Sequence, residues 1–560
     1  MPTKQPAPIP ATQHAVQLTG PGQLKLNSAK PVEHPGPYGI LGKVEAVSLC
    51  FSDLKLLKQF TEHPRKSALV AGLPSETIAT LNGYVPGDKP TVPGHEAVLR
   101  IVAVGDKVRH HKVGERCLVQ ADYRRLRTAG SNGAFGYNFE GALQEYVALD
   151  ERVVMDESTG ERFLIPVPDS LSASAVALVE PWACVENSYV TPERQCIKAG
   201  GRLAVVVESG HVAQGLAECC TGGKPAAVSW VGADAPGEMA ALGLPVTRVA
   251  APADLPPEGF DDIVYFGAAR RTLETLNDKI AAYGLLNIVT GGRRIGEPVS
   301  VGVGRIHYGM TRWIGTATAS PADAYRTIPA TGELRNGDSL CIVGAGGPMG
   351  QMHVLRDVCT GHSGLTVVGT DFDDARLASV LAKAAPMAKA NGVKLRMINT
   401  RNAAPGGPFS YSVIMAPVGA LVAEAIRNSS PGCLVNIFAG IPAPVRQELD
   451  LDLYIANRCY MFGTSGSTIR DMLLVLEKVA SGRLDTNRSV DAVSGMAGAV
   501  AGLDAVENRT LAGKIVVYPM LHGMGLTPLN QINHTLPAVA VKLDQGYWTQ
   551  AAEKALVGAY

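Results

Sequence analysis

An excess of charge of either sign is missing from this sequence: lysine plus arginine total 51, aspartate plus glutamate total 51, over 560 residues. That balance excludes a global electrostatic pull toward nucleic acid or an anionic membrane and leaves a small molecule as the default partner. Long apolar runs are missing too, and none approaches the ~20 residues that a membrane-spanning helix needs. The ten cysteines form no Cys-x-x-Cys pair, only the neighbours Cys219 and Cys220. This fits reduced thiols in a cytoplasmic protein better than a disulfide framework. The opening MPTKQPAPIPATQ is proline-rich without an apolar core, so it reads as a loose tail and not a signal peptide. A soluble, cytoplasmic chain with room for three or four domains is expected.

What the sequence does have is repetition. ENSYVTPERQCIKAGGRLAVVVESGHVAQGLAECC (186–220) lies over ADAYRTIPATGELRNGDSLCIVGAGGPMGQMHVLRD (322–357), each running from a Tyr-containing helix into an apolar strand and a glycine-bearing turn. DDIVYFGAARRTLETLNDKIAAYGLLNIVTGG (261–292) lies over YSVIMAPVGALVAEAIRNSSPGCLVNIFAGI (411–441), each a strand, a helix and a strand. TRWIGTATAS (311–320) and RCYMFGTSGS (458–467) then close the copies with an arginine, an apolar pair and Gly-Thr. Short apolar runs alternating with amphipathic stretches signal a parallel sheet wrapped by helices, so the expected fold class is α/β, a doubly wound domain present twice. The first 180 or so residues differ. YGILGKVEAVSLC, EAVLRIVAVGDKV, GERCLVQ and ALQEYVAL are β-rich segments between Gly and Pro turns, as in an irregular barrel. After residue 515 the strand KIVVYPM and a terminal helix pair in LPAVAVKLDQGYWTQAAEKALVGAY are expected to pack back on that barrel.

Two stretches carry chemistry. In SLCIVGAGGPMGQMHVL, Gly344, Gly346, Gly347 and Gly350 follow an apolar strand and open a helix, the setting in which backbone amides approach a pyrophosphate. A second strand, LTVVGTD, ends at Asp371, where a carboxylate would hold ribose hydroxyls and repel an added phosphate, favouring NAD over NADP. The first copy reads VVVESGHVAQG, with Val207, Ser209 and Ala213 in place of Gly344, Gly346 and Gly350, and Glu208 adding negative charge. It is expected to bind no dinucleotide. In the barrel, Cys50, His95, Glu96 and Glu180 offer a thiolate, an imidazole and carboxylates suited to zinc with an open coordination position.

These segments resemble the zinc-dependent medium-chain dehydrogenases. The resemblance rests on CFSD at 50–53, PGHE at 93–96, VGDKVRHHKVGER at 104–116 and EPWAC at 180–184, and covers nearly all the chain except the additional α/β copy. Within the family, GPMG, TDFDDARL and NGVKLRMINT look most like polyol dehydrogenases and L-sorbose 1-phosphate reductases. The resemblance implies a GroES-like catalytic domain over 1–185, a degenerate Rossmann-like domain over 186–321, an NAD-binding Rossmann domain over 322–485 and a return to the catalytic domain over 486–560. It implies Cys50, His95 and Glu180 as catalytic zinc ligands, with Glu96 ligating or standing just behind. Ser52 takes the substrate alcohol proton, and Lys55 falls where relatives carry a relay histidine. Pro348 and Met349 within the turn, and Arg376 in TDFDDARL, complete the cofactor-binding set. The four-cysteine lobe that holds a structural zinc in the family is missing, since only Cys117 lies in that region, so one zinc per chain is expected. Leu99 replaces a glycine usual after Gly-His-Glu.

The implied activity is hydride transfer between NAD(H) and a secondary alcohol or ketone of a sugar, polyol or sugar phosphate. Arg124, Arg125 and Arg127 could meet a substrate phosphate, or could form a solvated turn. Two other readings compete: an enzyme that retains and recycles NAD during epimerisation or elimination, and a binding protein on a dehydrogenase scaffold. Nucleotide domains of this family commonly pair through edge strands. The degenerate copy is therefore expected to supply that pairing within one chain, as a monomer with an internal pseudo-dimer or within a homo-oligomer.

Overall fold

The computed structural model describes residues 8–233 and 243–559; the first seven residues of the proline-rich opening lie outside them. The chain divides into two compact units, Met1–Cys184 with Gly466–Tyr560, and Val185–Ser465.

The first unit is built on an eight-stranded, mainly antiparallel sheet. Gly39–Ser48 is its organising strand. It pairs antiparallel with Glu96–Val104, Tyr146–Asp150 and Lys514–Val517, so the late strand read from KIVVYPM returns to this sheet. The strand is buried along most of its length and does not alternate, and the core joins Val44, Val47, Leu99, Cys117, Phe135 and Leu143 to Ile515 and Val517. Leu99 fills the space over Gly42, where an added Cβ would meet its methyl groups at 2.9 Å. The terminal helix pair is shorter than its sequence pattern. Pro537–Ala540 is one turn, and the positive φ of Gln545 and Gly546 breaks the run before Gln550–Ala559. The last helix earns its place through Glu553, whose carboxylate accepts from the amides of Ala173 and Ser174 at 2.6 and 2.8 Å, at the start of Ala173–Ala177.

The second unit is one twelve-stranded sheet made of the two copies. In the first copy the strands run, across the sheet, Val246–Arg248, Ala227–Val231, Arg202–Val207, Phe260–Phe266, Ile280–Val289 and Arg312–Thr316. The second copy mirrors them as Tyr460–Phe462, Ser429–Ile437, Phe409–Ile414, Ser339–Val343, Thr366–Asp371 and Lys394–Asn399. Numbered along the chain, each copy has the order 3-2-1-4-5-6 of a doubly wound nucleotide fold, with every neighbouring pair within a copy parallel.

The copies meet edge to edge where the repeated phrases lie, as the internal-pairing expectation required. Trp313 pairs antiparallel with Met461, and Val299–Val301 pairs antiparallel with Gln447–Leu449. The two-fold relation about this pair makes Gly315 equivalent to Gly463 but does not match the two arginines. Arg312 is equivalent to Tyr460, whereas Arg458 is exposed at φ 49 in the preceding turn. Arg312 and Tyr460 hold one carboxylate together: Arg312 pairs with Glu193 at 2.8 and 2.9 Å, and the Tyr460 hydroxyl donates to it at 2.5 Å. The glycines are reciprocal. A Cβ at Gly315 would strike Ile455 of the second copy at 2.6 Å, and one at Gly463 would come within 3.1 Å of the His307 backbone of the first. Each glycine lets the other copy's helix close onto the seam.

The copies part at the turn after their first strand. In the second, Ser339–Val343 leads into the helix Pro348–Val358. In the first, Arg202–Val207 leads into no helix before the short 3-10 turn Ala217–Cys219, because Gly210 and Gly215 sit at φ 79 and 71 and interrupt any helical run.

Candidate functional site

Strand register explains how residues far apart in sequence meet. Ser48 pairs with Glu96, which brings Cys50, just past the end of Gly39–Ser48, beside His95 and Glu96 at the start of Glu96–Val104. Gly94 makes the approach possible at φ 96, where a Cβ would lie 3.1 Å from the Leu143 amide nitrogen. Ligand atoms of Cys50, His95 and Glu96 all lie within 4.8 Å of one another.

One side chain holds this trio in place. Asp53 accepts from the Cys50 amide at 3.1 Å, from the Gly94 amide at 3.2 Å, and faces His95 Nδ1 at 3.0 Å. It thereby starts the helix Phe51–Gln59 and orients the imidazole so that Nε2 is left for a ligand. Burial pushes the His95 pKa down, but Asp53 more than reverses this and holds it well above the usual histidine range. Behind Glu96 stands Lys514, its Nζ 2.6 Å from Oε1 and 3.1 Å from the Leu49 carbonyl. Burial lowers the Lys514 pKa and the Glu96 charge outweighs it, so it is raised to about 12. The other oxygen, Glu96 Oε2, is buried with no hydrogen-bond partner.

That orphaned oxygen, the thiol and a histidine held through Nδ1 form a donor set that fits a zinc ion, a group the structure does not contain. Glu180 stands apart from the trio. Buried in the first turn of Val179–Val190, it feels the charges of His95 and Glu96, but its Oε1 accepts from Cys184 Sγ at 3.6 Å. Burial raises its pKa to about 7.

Around the centre, Ser52 Oγ lies 3.6 Å from Cys50 Sγ, and the Tyr137 hydroxyl donates to the Ser52 carbonyl at 3.4 Å. Lys55 is exposed on the same helix. His63 packs on Tyr137 with ring centroids 5.0 Å apart; burial, then Arg65 and Lys55, push its pKa down to about 4, so it is neutral. Arg65 pairs with Asp122 at 2.8 Å and lies over the Tyr137 ring. Burial lowers its pKa, and Asp122, Tyr137, Glu180 and Cys184 together hold it above the usual value. Of the loop arginines, Arg125 donates to three backbone carbonyls, of Arg152, Val153 and Met155, and so holds the barrel together. Arg124 is exposed and reaches the Ser467 carbonyl at 3.2 Å, and Arg127 is exposed. Asp53, Lys514 and Arg65 were not singled out from sequence. Asp53 alone had a local signal, as the acid three residues into a helix whose first turn needs a cap.

In the second unit the glycine turn is gathered as its spacing implied. Gly344 sits at φ 88. A Cβ at Gly350 would lie 2.2 Å from the Gly344 carbonyl, and one at Gly346 would meet Asp371 at 2.7 Å and Arg376 Cβ at 2.8 Å. Asp371, at the end of Thr366–Asp371, accepts from the Gly346 amide at 3.1 Å. Gly347 caps the helix, Pro348 takes its first position, and Met349 is half-buried beside it. The first copy is held by side chains at this point of its chain. Glu208 accepts from the Ala268 amide at 3.2 Å and the Thr272 hydroxyl at 2.9 Å, and Arg293 donates to the Gly210 carbonyl.

Residues 36–158 match the alcohol dehydrogenase GroES-like domain. The chain is 25% identical over 334 residues to the uncharacterized protein YggP of Escherichia coli K12, covering 53% of this chain and 72% of that one. It is 24% identical over 206 residues to sorbitol dehydrogenase of Rattus norvegicus, covering 36% of this chain and 52% of that one. The crystal structure of 2R,3R-butanediol dehydrogenase from Bacillus subtilis shares the fold, with TM-score 0.51 and 13% identity, over 91% of this chain and all of that one. No helix among the described residues is long and apolar enough to cross a membrane. The first unit thus carries the match to the alcohol dehydrogenase GroES-like domain, and over part of its length the chain is similar to an alcohol or polyol dehydrogenase.

Proposed function

We propose that the protein is an NAD- and zinc-dependent oxidoreductase acting on a secondary alcohol or ketone of a sugar, polyol or sugar phosphate. The observation that carries this reading is the convergence of Cys50, His95 and Glu96, with a buried Glu96 oxygen left unpartnered. These three residues would hold zinc, which when bound polarises the substrate oxygen and favours the alkoxide. NAD, held by Gly344, Gly346, Gly347, Pro348, Met349, Gly350, Asp371 and Arg376, would accept the hydride from the neighbouring carbon.

The chain's own side chains divide the remaining work. Ser52 Oγ would accept the substrate hydroxyl proton as it hands its own onward, and Lys55, exposed on the same helix, occupies the place of the relay residue. Asp53 keeps His95 oriented, and Lys514 offsets the Glu96 charge. Buried Glu180, raised to about 7, serves as a neighbouring carboxyl group for a substrate hydroxyl. Relatedness to sorbitol dehydrogenase and D-xylulose reductase supports a polyol. The cations Arg65 and Arg124 support including phosphates among the candidates.

The test is a panel of polyols, ketoses and their phosphates followed by NADH absorbance, with metal content measured alongside. Cys50→Ser and Ser52→Ala should each lower turnover at least about 100-fold while NADH binding stays near normal. Full activity in both would overturn the reading. Substrate conversion without free NADH would replace it with an internally recycled cofactor.

A further inference from the structure

We infer that a second divalent transition-metal site, distinct from the Cys50 centre, is built from His14, Glu145 and His522. Their ligand atoms lie within 4.8 Å of one another. His14 comes from the strand Thr12–Leu18, Glu145 directly precedes the strand Tyr146–Asp150, and His522 belongs to the returning segment after Lys514–Val517. His14 Nδ1 is 3.3 Å from Glu145 Oε2, and His522 Nε2 is 2.7 Å from Oε1. Two ligands each ~2.0–2.1 Å from a tetrahedral ion stand about 3.3 Å apart, so the His14–Glu145 spacing already suits one.

The charges and stacking of this cluster call for a cation. The Glu145 side chain is only 6% exposed, and the positive charge of no lysine or arginine is paired with it among the described residues. Its carboxylate is met by the His14 amide at 2.6 Å and by the two imidazoles. The imidazoles are stacked, centroids 4.1 Å apart and 29° from coplanar. The buried carboxylate needs a positive partner here. A divalent ion held by both imidazoles and the carboxylate supplies that charge at a point all three ligand atoms can reach. His522, 46% exposed, leaves that side open for water to complete the coordination. Nitrogen and carboxylate donors favour zinc among available ions and also accept cobalt. The backbone is anchored on all sides: the Glu145 amide donates to the His14 carbonyl, the Val44 amide to the Glu145 carbonyl, and the Ala497 amide to the His522 carbonyl. The ion would fasten the first strand and the returning segment to the barrel. It uses none of the four cysteines that hold the family's structural zinc.

The full chain, stripped with a chelator and dialysed, is titrated with zinc alone and, separately, with cobalt. Wild type should bind two ions per chain, Cys50→Ser one, His522→Gln one, and the Cys50→Ser/His522→Gln double variant none. Loss of His522 should weaken zinc at this site by at least about 100-fold, with turnover within twofold of wild type. In Cys50→Ser, cobalt should give visible bands without thiolate charge transfer, and His522→Gln should erase them. His14→Gln is the second variant, so a folding defect at one position does not decide the result. Cys50→Ser that binds no ion, or a double variant that binds as much as Cys50→Ser, would overturn the site and leave a proton-bonded cluster only. Failure of the Cys50 chemistry would show instead in turnover and in the thiolate band.

Discussion

The two halves of the twelve-stranded sheet share strand order and seam but differ at the end of their first strand. Where the second copy has Gly344 at φ 88 and a helix packed against it, the first has Val207, then a glutamate whose carboxylate is tied to Ala268 and Thr272. The seam kept its small residues and its shared carboxylate, with Gly315, Gly463 and Glu193 in place. The frame and the glycine turn therefore rest on different residues, and the first copy carries the one without the other. A sheet of this kind needs its central strands buried and paired, whereas the turn needs only amides left free at its end.

The seam is where this contrast is most easily broken. Trp313→Ala removes a side chain that is 1% exposed at the paired position and should destabilise the chain by about 3–5 kcal/mol, read as a lower denaturant midpoint. An unchanged midpoint would mean that the seam does not bear on stability. Gly350→Val should lower NADH affinity at least about 100-fold by fluorescence titration, since its side chain collides with the Gly344 carbonyl. Ser209→Ala in the first copy should leave affinity unchanged, and any loss there would show a working first-copy turn. The smallest effect belongs to Glu208→Ala. It should destabilise by about 1 kcal/mol through the lost Thr272 and Ala268 hydrogen bonds, without creating a second NADH site. A calorimetric stoichiometry of two NADH per chain in that variant would show that Glu208 alone blocks the copy.

Much of the frame was legible in the sequence because it is written in local periodicity. The strands Phe260–Phe266, Ser429–Ile437 and Thr366–Asp371 are short apolar runs bounded by turn residues, and Asp371 falls at its strand end. Gly344 and Gly350 were legible because only glycine fits so close an approach. Contacts set by register were not legible. Lys514 reaches Glu96 only because its strand pairs with Gly39–Ser48, and His522 reaches His14 only through the same pairing. The repeated arginines misled for a related reason: similarity of words does not fix which residues are equivalent across the seam, and Tyr460, not Arg458, is the counterpart of Arg312. Arg125 could be read as a substrate contact or as part of a solvated turn, and is neither, because sequence carries no record of the three carbonyls that occupy it.

Joining both copies on one polypeptide has a consequence for how the seam can change. Two identical chains must carry any alteration twice, once on each side of their axis, so a substitution that suits one side is imposed on the other. Here the facing strands are encoded separately and stay tethered at any dilution, so their association does not depend on how much protein is present. Arginine can stand on one side and tyrosine on the other, both gripping Glu193, an asymmetric solution closed to a pair of identical subunits.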